Sequence, residues 1–156
     1  MAGIVNQDSG LGEFHNVLKG RIMATTTTKA STAKSNSALL LCKLAALFGK
    51  AKAAALAADP GDGFAADGGT CNLDSPAFRI DRCRGDLIAE AAEAAGVSVN
   101  DFTWFGGRKW FWLNVPMNGQ ADRRHKMARA AAAVLREAAD SGEIPGMSAC
   151  LYCQMD

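Results

Sequence analysis

The pattern of apolar and polar residues from residue 70 onward predicts four strands and two helices. Apolar and polar side chains alternate, as they do in half-buried strands, over residues 70–80, 97–105, 109–117 and 148–155. Apolar residues recur at helical spacing over residues 82–95 and 118–141. Gly106 and Gly107 separate the second strand from the third and are typical of a hairpin turn.

The predicted elements follow one another as strand, helix, strand, strand, helix, strand. This is the order of an α+β ferredoxin-like β-α-β-β-α-β sandwich, in which four antiparallel strands carry both helices on one face. We therefore predict one such domain over residues 70–156. The third strand is central in this fold, so Phe111, Leu113 and Val115 are expected to face the helices.

An additional N-terminal helix is predicted over residues 37–58. Ser37 or Asn36 fits the N-cap, and Asp59, Pro60 and Gly61 end the helix. Its apolar stripe is formed by Leu40, Leu44 and Leu47. The apolar stretch is too short to cross a bilayer and Lys43 interrupts it, so we expect no membrane association. Residues 59–69 are rich in Gly, Asp and Ala, which predicts a flexible linker.

Residues 1–36 are predicted to form a flexible basic arm. Up to Ala58 the chain carries seven lysines and arginines but only two acidic residues. This excess fits weak attraction to a polyanion, and it equally fits a solubilising tail. The codons for Lys19, Gly20 and Arg21 can read as a purine-rich ribosome-binding site just before Met23. Translation from Met23 and translation from Met1 are therefore two open alternatives.

The overall composition indicates a globular protein of one domain and not a basic nucleic-acid binder. The 156 residues are 49% hydrophobic and 21% charged, and the net charge is +1. Binding to nucleic acid through overall charge alone is thereby excluded.

The five cysteines do not indicate a disulfide-rich secreted protein. Cys150 and Cys153 are three residues apart on a predicted strand, so their side chains face opposite ways. Zinc bound by this pair with Cys71 or Cys83 stays an alternative. We expect buried structural thiols in a reducing cytoplasm, and neither a metal nor a cofactor.

Trp110 and Trp112 alternate with the core residues of the third strand, which predicts that they lie on the helix-free face of the sheet. Two exposed tryptophans there form an unfavourable apolar patch. We expect the helix 37–58, or the sheet of a second copy in a homo-oligomer, to cover them. Nucleic-acid bases and a small ligand are the alternatives.

The third strand resembles that of RNA-recognition domains, which carry a basic residue followed by alternating aromatics on which bases stack. Arg108, Trp110 and Trp112 stand at matching positions, as does Leu113. Lys109 and Phe111 stand where that family favours Gly and a small residue. The first strand offers no second aromatic, because Asn72 and Asp74 occupy its middle. Nucleic acid is therefore the less favoured partner, with Arg108 and Lys109 as its cationic contacts.

A second candidate site lies at the start of the helix 118–141. Gly119 and Gln120 place free backbone N–H groups there, and helix N-termini attract anions. Arg123 and Arg124, expected on an exposed turn, can bind phosphate in a bidentate manner. A small phosphorylated or nucleotide ligand is the partner that this pattern favours, and a solvated basic face is the alternative.

Enzymatic activity is not indicated by the sequence. His15 and His125 are the only histidines, and neither stands in a recognisable catalytic arrangement. We therefore expect a binding protein without catalytic residues.

Short motifs of the main domain resemble uncharacterised small proteins of phages and mobile elements of gut bacteria. They are the segments 68–75 and 152–156, and Gly119-Gln120 followed by Arg123 and Arg124. The resemblance implies a host-directed role in the bacterial cytoplasm. The expected function is stoichiometric inhibition of a host defence complex. The alternatives are sequestration of a small phosphorylated ligand and binding of RNA or single-stranded DNA.

Overall fold

The computed structural model of the chain describes residues 35–61, 74–104, 106–117, 119 and 121–153. Residues Leu39–Asp156 belong to one compact unit. The first helix, α1, spans residues 35–57. The elements that follow are β1 (Ser75–Ile80), α2 (Gly85–Ala94), β2 (Ser98–Trp104), β3 (Arg108–Asn114), α3 (Ala121–Asp140) and β4 (Met147–Tyr152).

The four strands form one antiparallel sheet in the order β2-β3-β1-β4, so the fold is mixed α+β. Strand β3 lies inside the sheet, as the sequence predicts, and Phe111 opposes Phe78 of β1. The hairpin between β2 and β3 turns at Gly106 and Gly107. Both have positive φ, at 84° and 72°, a conformation that glycine adopts without steric cost. The predicted glycine hairpin is confirmed.

Helix α1 packs on the face of the sheet that carries Phe78, together with α2 and α3. The rings of Phe48 and Phe78 lie 5.1 Å apart between centroids. Four further residues of α1 belong to the same core: Leu44, Leu47, Ala51 and Ala55. Lys52 Nζ donates to the carbonyl of Gly96, just beyond α2, at 3.1 Å. The expectation that this helix covers Trp110 and Trp112 is wrong, because its apolar stripe is buried on the opposite side of the sheet.

Helix α2 begins at Gly85, three residues later than predicted. Arg82 has a φ of 58°, in the left-handed region, so the chain is not helical there. Asp81, which directly follows β1, pairs with Arg79, and the two charged atoms lie 2.8 Å apart. The residue at the N-cap is Arg84, which makes no side-chain capping hydrogen bond.

Several sequence predictions fall on residues that the structure does not describe. They are the arm up to residue 34 with the start at Met23, the linker from residue 62 onward, Cys71, Asn72 and Gln120. Strand β1 begins at Ser75, so Asp74 precedes the strand and does not stand in its middle. Within the described ranges, no helix combines the length and apolar character that crossing a membrane requires.

Candidate functional site

Five aromatic side chains from three strands lie together on the helix-free side of the sheet. We call them the aromatic face: Phe102 and Trp104 of β2, Trp110 and Trp112 of β3, and Tyr152 of β4. They share one face because side chains alternate along each strand and the register aligns the strands. Phe102 opposes Trp110 across the β2–β3 ladder. Ala77 opposes Trp112 on β1, and its small side chain leaves room for the rings on either side.

The five rings pack against one another. Phe102 stacks on Trp112, with centroids 4.5 Å apart and ring planes 22° apart. Tyr152 meets Trp104 edge to face, at 5.2 Å and 85°. Trp104 and Trp110 are tilted by 56° at 5.1 Å. All five side chains are half-buried, because each ring covers part of its neighbours and leaves the rest of its surface exposed.

Polar groups border the aromatic face. The Arg79 guanidinium lies 5.9 Å above the Trp110 ring, a cation–π arrangement, and also pairs with Asp81. Arg108 is exposed and opposes Trp104 at the hairpin end. Among the described strand residues that point to this side, none is acidic. The Trp112 indole Nε1 is buried and has no hydrogen-bond acceptor among the residues that the structure describes.

Lys109 is separated from the tryptophans that flank it in sequence. Its Nζ lies 2.9 Å from a carboxylate oxygen of Asp101 and 5.4 Å from the centre of the Phe111 ring. Both neighbours belong to the helix-facing side of the strands. The hydrogen bond from Lys109, and then its charge, lower the pKa of Asp101. Of the two predicted cationic contacts, therefore, only Arg108 lies on the side of Trp110 and Trp112.

The residues of the predicted anion site at the start of α3 have other partners. Arg123 is 5% exposed and its guanidinium makes two hydrogen bonds to Asp59, so the expectation of an exposed Arg123 is wrong. Arg124 Nε donates to the carbonyl of Asp74 at 3.2 Å. Gly119 is exposed with a φ of 70°, and Gln120 lies outside the described residues. The structure therefore does not assemble Gly119, Arg123 and Arg124 around one ligand position.

A second cluster brings together residues that the sequence analysis did not connect. Asp74, His125 and Cys153 present ligand atoms that all lie within 4.8 Å of one another. His125 Nδ1 is 2.7 Å from Asp74 Oδ2, and the Asp74 carboxylate is almost fully buried. Desolvation raises the pKa of the Cys153 thiol, and the Asp74 carboxylate raises it further.

The sequence analysis also missed three members of the aromatic face. Phe102 and Trp104 alternate along the second predicted strand in the same way as Trp110 and Trp112 along the third. That alternation is the signal that would have found them. Tyr152 carries no comparable signal, because its strand contains a single aromatic residue.

Chemically, the aromatic face offers a half-exposed apolar surface with a cationic border, and the Asp74 cluster offers nitrogen, oxygen and sulfur donors. No family model, no curated protein and no solved structure matches this chain.

Proposed function

We propose that this protein is a non-enzymatic binding protein that captures a partner protein on its aromatic face. The observation that carries the proposal is the packing of the five rings into one half-exposed cluster. Trp, Tyr and Arg are the residues that contribute most binding energy at protein interfaces. The aromatic face provides three tryptophans and one tyrosine, with Arg79 and Arg108 beside them.

The orientation of the rings favours a protein over a nucleic acid. Stacking of bases requires aromatic rings whose flat faces are open to solvent. Phe102 and Trp112 instead cover one face of each other, and Trp104 and Tyr152 stand nearly perpendicular. Five rings with such different orientations do not form a common flat platform. They form a contoured apolar surface, which suits the side chains of a protein partner.

The charges favour a different protein over a second copy of this chain. The strand residues on this side include the exposed Arg108 and no acidic residue, while Arg79 is already paired with Asp81. Two copies placed face to face would offer no strand carboxylate to Arg108, whereas a carboxylate on a different protein would complement it. We therefore propose a partner whose apolar surface is bordered by Asp or Glu.

Two further proposals concern the partner and its cellular location, and the fold family of the domain. The resemblance to small proteins of phages and mobile elements supports a host defence complex as the partner, bound in the bacterial cytoplasm. The four described cysteines are free thiols, which fits a reducing compartment. The expectation that they are buried is wrong, because Cys42 and Cys153 are exposed and Cys83 and Cys150 are half-buried. The element order and the strand order β2-β3-β1-β4 support a ferredoxin-like domain, to which α1 adds a third helix.

The proposal is tested by comparing two substitutions at neighbouring positions of β3. Trp110→Ala removes a ring of the aromatic face, and Lys109→Ala changes the other side of the same strand. The full chain and both variants are immobilised, exposed to host extract with and without nuclease treatment, and washed at increasing salt. A protein retained by the wild type is then purified, and its affinity is measured by calorimetry.

We expect one-to-one binding that responds weakly to salt. Trp110→Ala should weaken it about thirtyfold, the effect of losing an interface residue worth about 2 kcal/mol. Lys109→Ala should leave it unchanged. Binding that is lost on nuclease treatment and falls steeply with salt would establish a nucleic-acid partner instead. A concentration-dependent dimer of this chain that Trp110→Ala dissociates would show that a second copy occupies the face. Either result overturns the proposal.

A further inference from the structure

We propose that Asp74, His125 and Cys153 form a binding site for a divalent zinc-like cation. The three ligand atoms lie within 4.8 Å of one another and come from three separate parts of the chain. The site is independent of the aromatic face, since Asp74 and Cys153 lie on the side of the sheet that carries the helices.

The register of the sheet brings two of the ligands together. Ser75 opposes Tyr152 in the antiparallel β1–β4 ladder, so the next pair outward is Asp74 and Cys153. Both point to the side of Pro76 and Leu151, because side chains alternate. Helix α3 covers this corner and places His125 over the pair, with Nδ1 2.7 Å from Asp74 Oδ2. The three ligands are therefore held by two strand ends and one helix.

The donor set favours zinc over the common hard cations. Imidazole nitrogen, thiolate sulfur and carboxylate oxygen are all ligands of Zn²⁺, whereas Mg²⁺ and Ca²⁺ prefer oxygen alone. Tetrahedral zinc with bonds of about 2.0–2.3 Å places neighbouring ligand atoms about 3.3–3.6 Å apart. His125 and Asp74 need to separate by less than about 1 Å to reach that spacing, which rotation of the side chains provides.

The burial of the three residues is suited to a cation that enters from solvent. The Asp74 side chain is 2% exposed, while 38% of the His125 side chain is exposed and Cys153 lies at the surface. A buried carboxylate gains from a neighbouring positive charge, and a metal ion supplies two. Three protein ligands leave a fourth position for water, as in zinc sites that bind exchangeable ligands.

Arg124 is the charged neighbour that opposes cation binding, since its guanidinium donates to the Asp74 carbonyl. This hydrogen bond is to the backbone carbonyl and not to the carboxylate, whose Oδ2 lies 2.7 Å from His125 Nδ1.

The test uses Co²⁺ as a spectroscopic substitute for Zn²⁺ on the full chain, after treatment with a chelator. Tetrahedral Co²⁺ absorbs strongly in the visible range, and a thiolate ligand adds a charge-transfer band in the near ultraviolet. The variants are Cys153→Ser and His125→Gln, and Cys150→Ser is the matched control, three residues away and facing the other side of the sheet. Circular dichroism verifies that each variant is folded.

We expect one Co²⁺ per chain, with the thiolate band, displaced by an equivalent of Zn²⁺. Cys153→Ser should abolish the band and weaken binding at least about a hundredfold, since even the loss of an outer contact to a ligand costs about tenfold to a hundredfold. His125→Gln should weaken binding to a similar degree, and Cys150→Ser should change it less than about twofold. The absence of a thiolate band in the wild type would overturn the proposal. Equal binding by wild type and Cys153→Ser would overturn it as well.

Discussion

Arg123 and Asp59 form a two-point ion pair across 64 residues of sequence, with Nε 2.7 Å from Oδ1 and Nη2 3.0 Å from Oδ2. Both side chains are largely buried, at 6% and 15% exposure. The pair joins the first turn of α3 to the second residue beyond the end of α1. It therefore fixes the end of the added helix against the rest of the core.

Arg123→Ala is expected to lower the free energy of unfolding by about 3–5 kcal/mol, because it removes the guanidinium that makes two hydrogen bonds to the largely buried Asp59 carboxylate. Urea unfolding followed by circular dichroism measures this. Arg84→Ala is the matched control, since Arg84 pairs with Asp86 at the surface, and its unfolding midpoint should equal that of the wild type. The double variant Arg123→Met/Asp59→Leu should recover most of the lost stability. Equal midpoints for Arg123→Ala and Arg84→Ala would show that the Asp59 pair contributes no stability.

Two glycines that differ in conformation should respond to alanine in opposite ways. Gly49 lies inside α1, and an added Cβ would meet nothing within 4 Å, so Gly49→Ala should raise stability by about 0.5–1 kcal/mol. Gly96 has a φ of 66°, which an L-residue adopts at a cost of about 1–2 kcal/mol, so Gly96→Ala should lower stability. Thermal unfolding of both variants measures the two shifts. A melting temperature lowered by Gly49→Ala would contradict the placement of that residue in a helix interior.

The stacked pair Phe102 and Trp112 should be energetically coupled. In a double-mutant cycle with Phe102→Leu and Trp112→Leu, the free energies of unfolding are expected to show a coupling energy of about 0.5–1.5 kcal/mol between the two rings. The control cycle combines Phe102→Leu with Phe48→Leu, which lies on the other side of the sheet, and should be additive within about 0.5 kcal/mol. Denaturant titration of the variants gives both values. Additivity in the first cycle would mean that the rings do not pack as described.

The Asp101 carboxyl should titrate below its ordinary pKa, because Lys109 holds its charged form. Lys109→Met should raise that pKa toward the ordinary value, as measured by NMR of the carboxyl carbon. A carboxyl whose pKa is lowered by folding stabilises the protein above its unfolded-state pKa. That contribution disappears as the pH falls through the folded-state pKa, so wild type and variant should converge in stability at low pH. An unshifted Asp101 in the wild type would mean that Lys109 is available to a ligand.

The strands, the hairpin and α3 could be predicted from sequence because their signals are local. Alternation over seven residues defines β2 and β3, and the glycine pair marks their turn. The position of α1 could not be predicted in this way. Its apolar stripe shows that it must be buried, but the stripe does not specify which face of the sheet it covers.

In the candidate sites, too, features with a local sequence signal could be predicted, and features that depend on the tertiary fold could not. The common side of Trp110 and Trp112 follows from alternation within one strand, whereas the contact of Trp112 with Tyr152 depends on the order of all four strands. The burial of Arg123 depends on Asp59, and the spacing of the arginines in α3 gives no indication of that partner. Asp74, His125 and Cys153 belong to three segments that only the folded sheet and α3 bring together.

The aromatic face takes its members from both edges of the sheet, Phe102 and Trp104 from β2 and Tyr152 from β4. Edge strands detach from a sheet by local unfolding more readily than central ones. When β4 detaches, the Tyr152 ring loses its contact with Trp104. A molecule that contacts both rings binds only the sheet in which β4 is paired with β1, and by mass action it stabilises that state. Hydrogen exchange at the backbone amides of β4 would then slow as this molecule binds, although the amides themselves lie outside the contact.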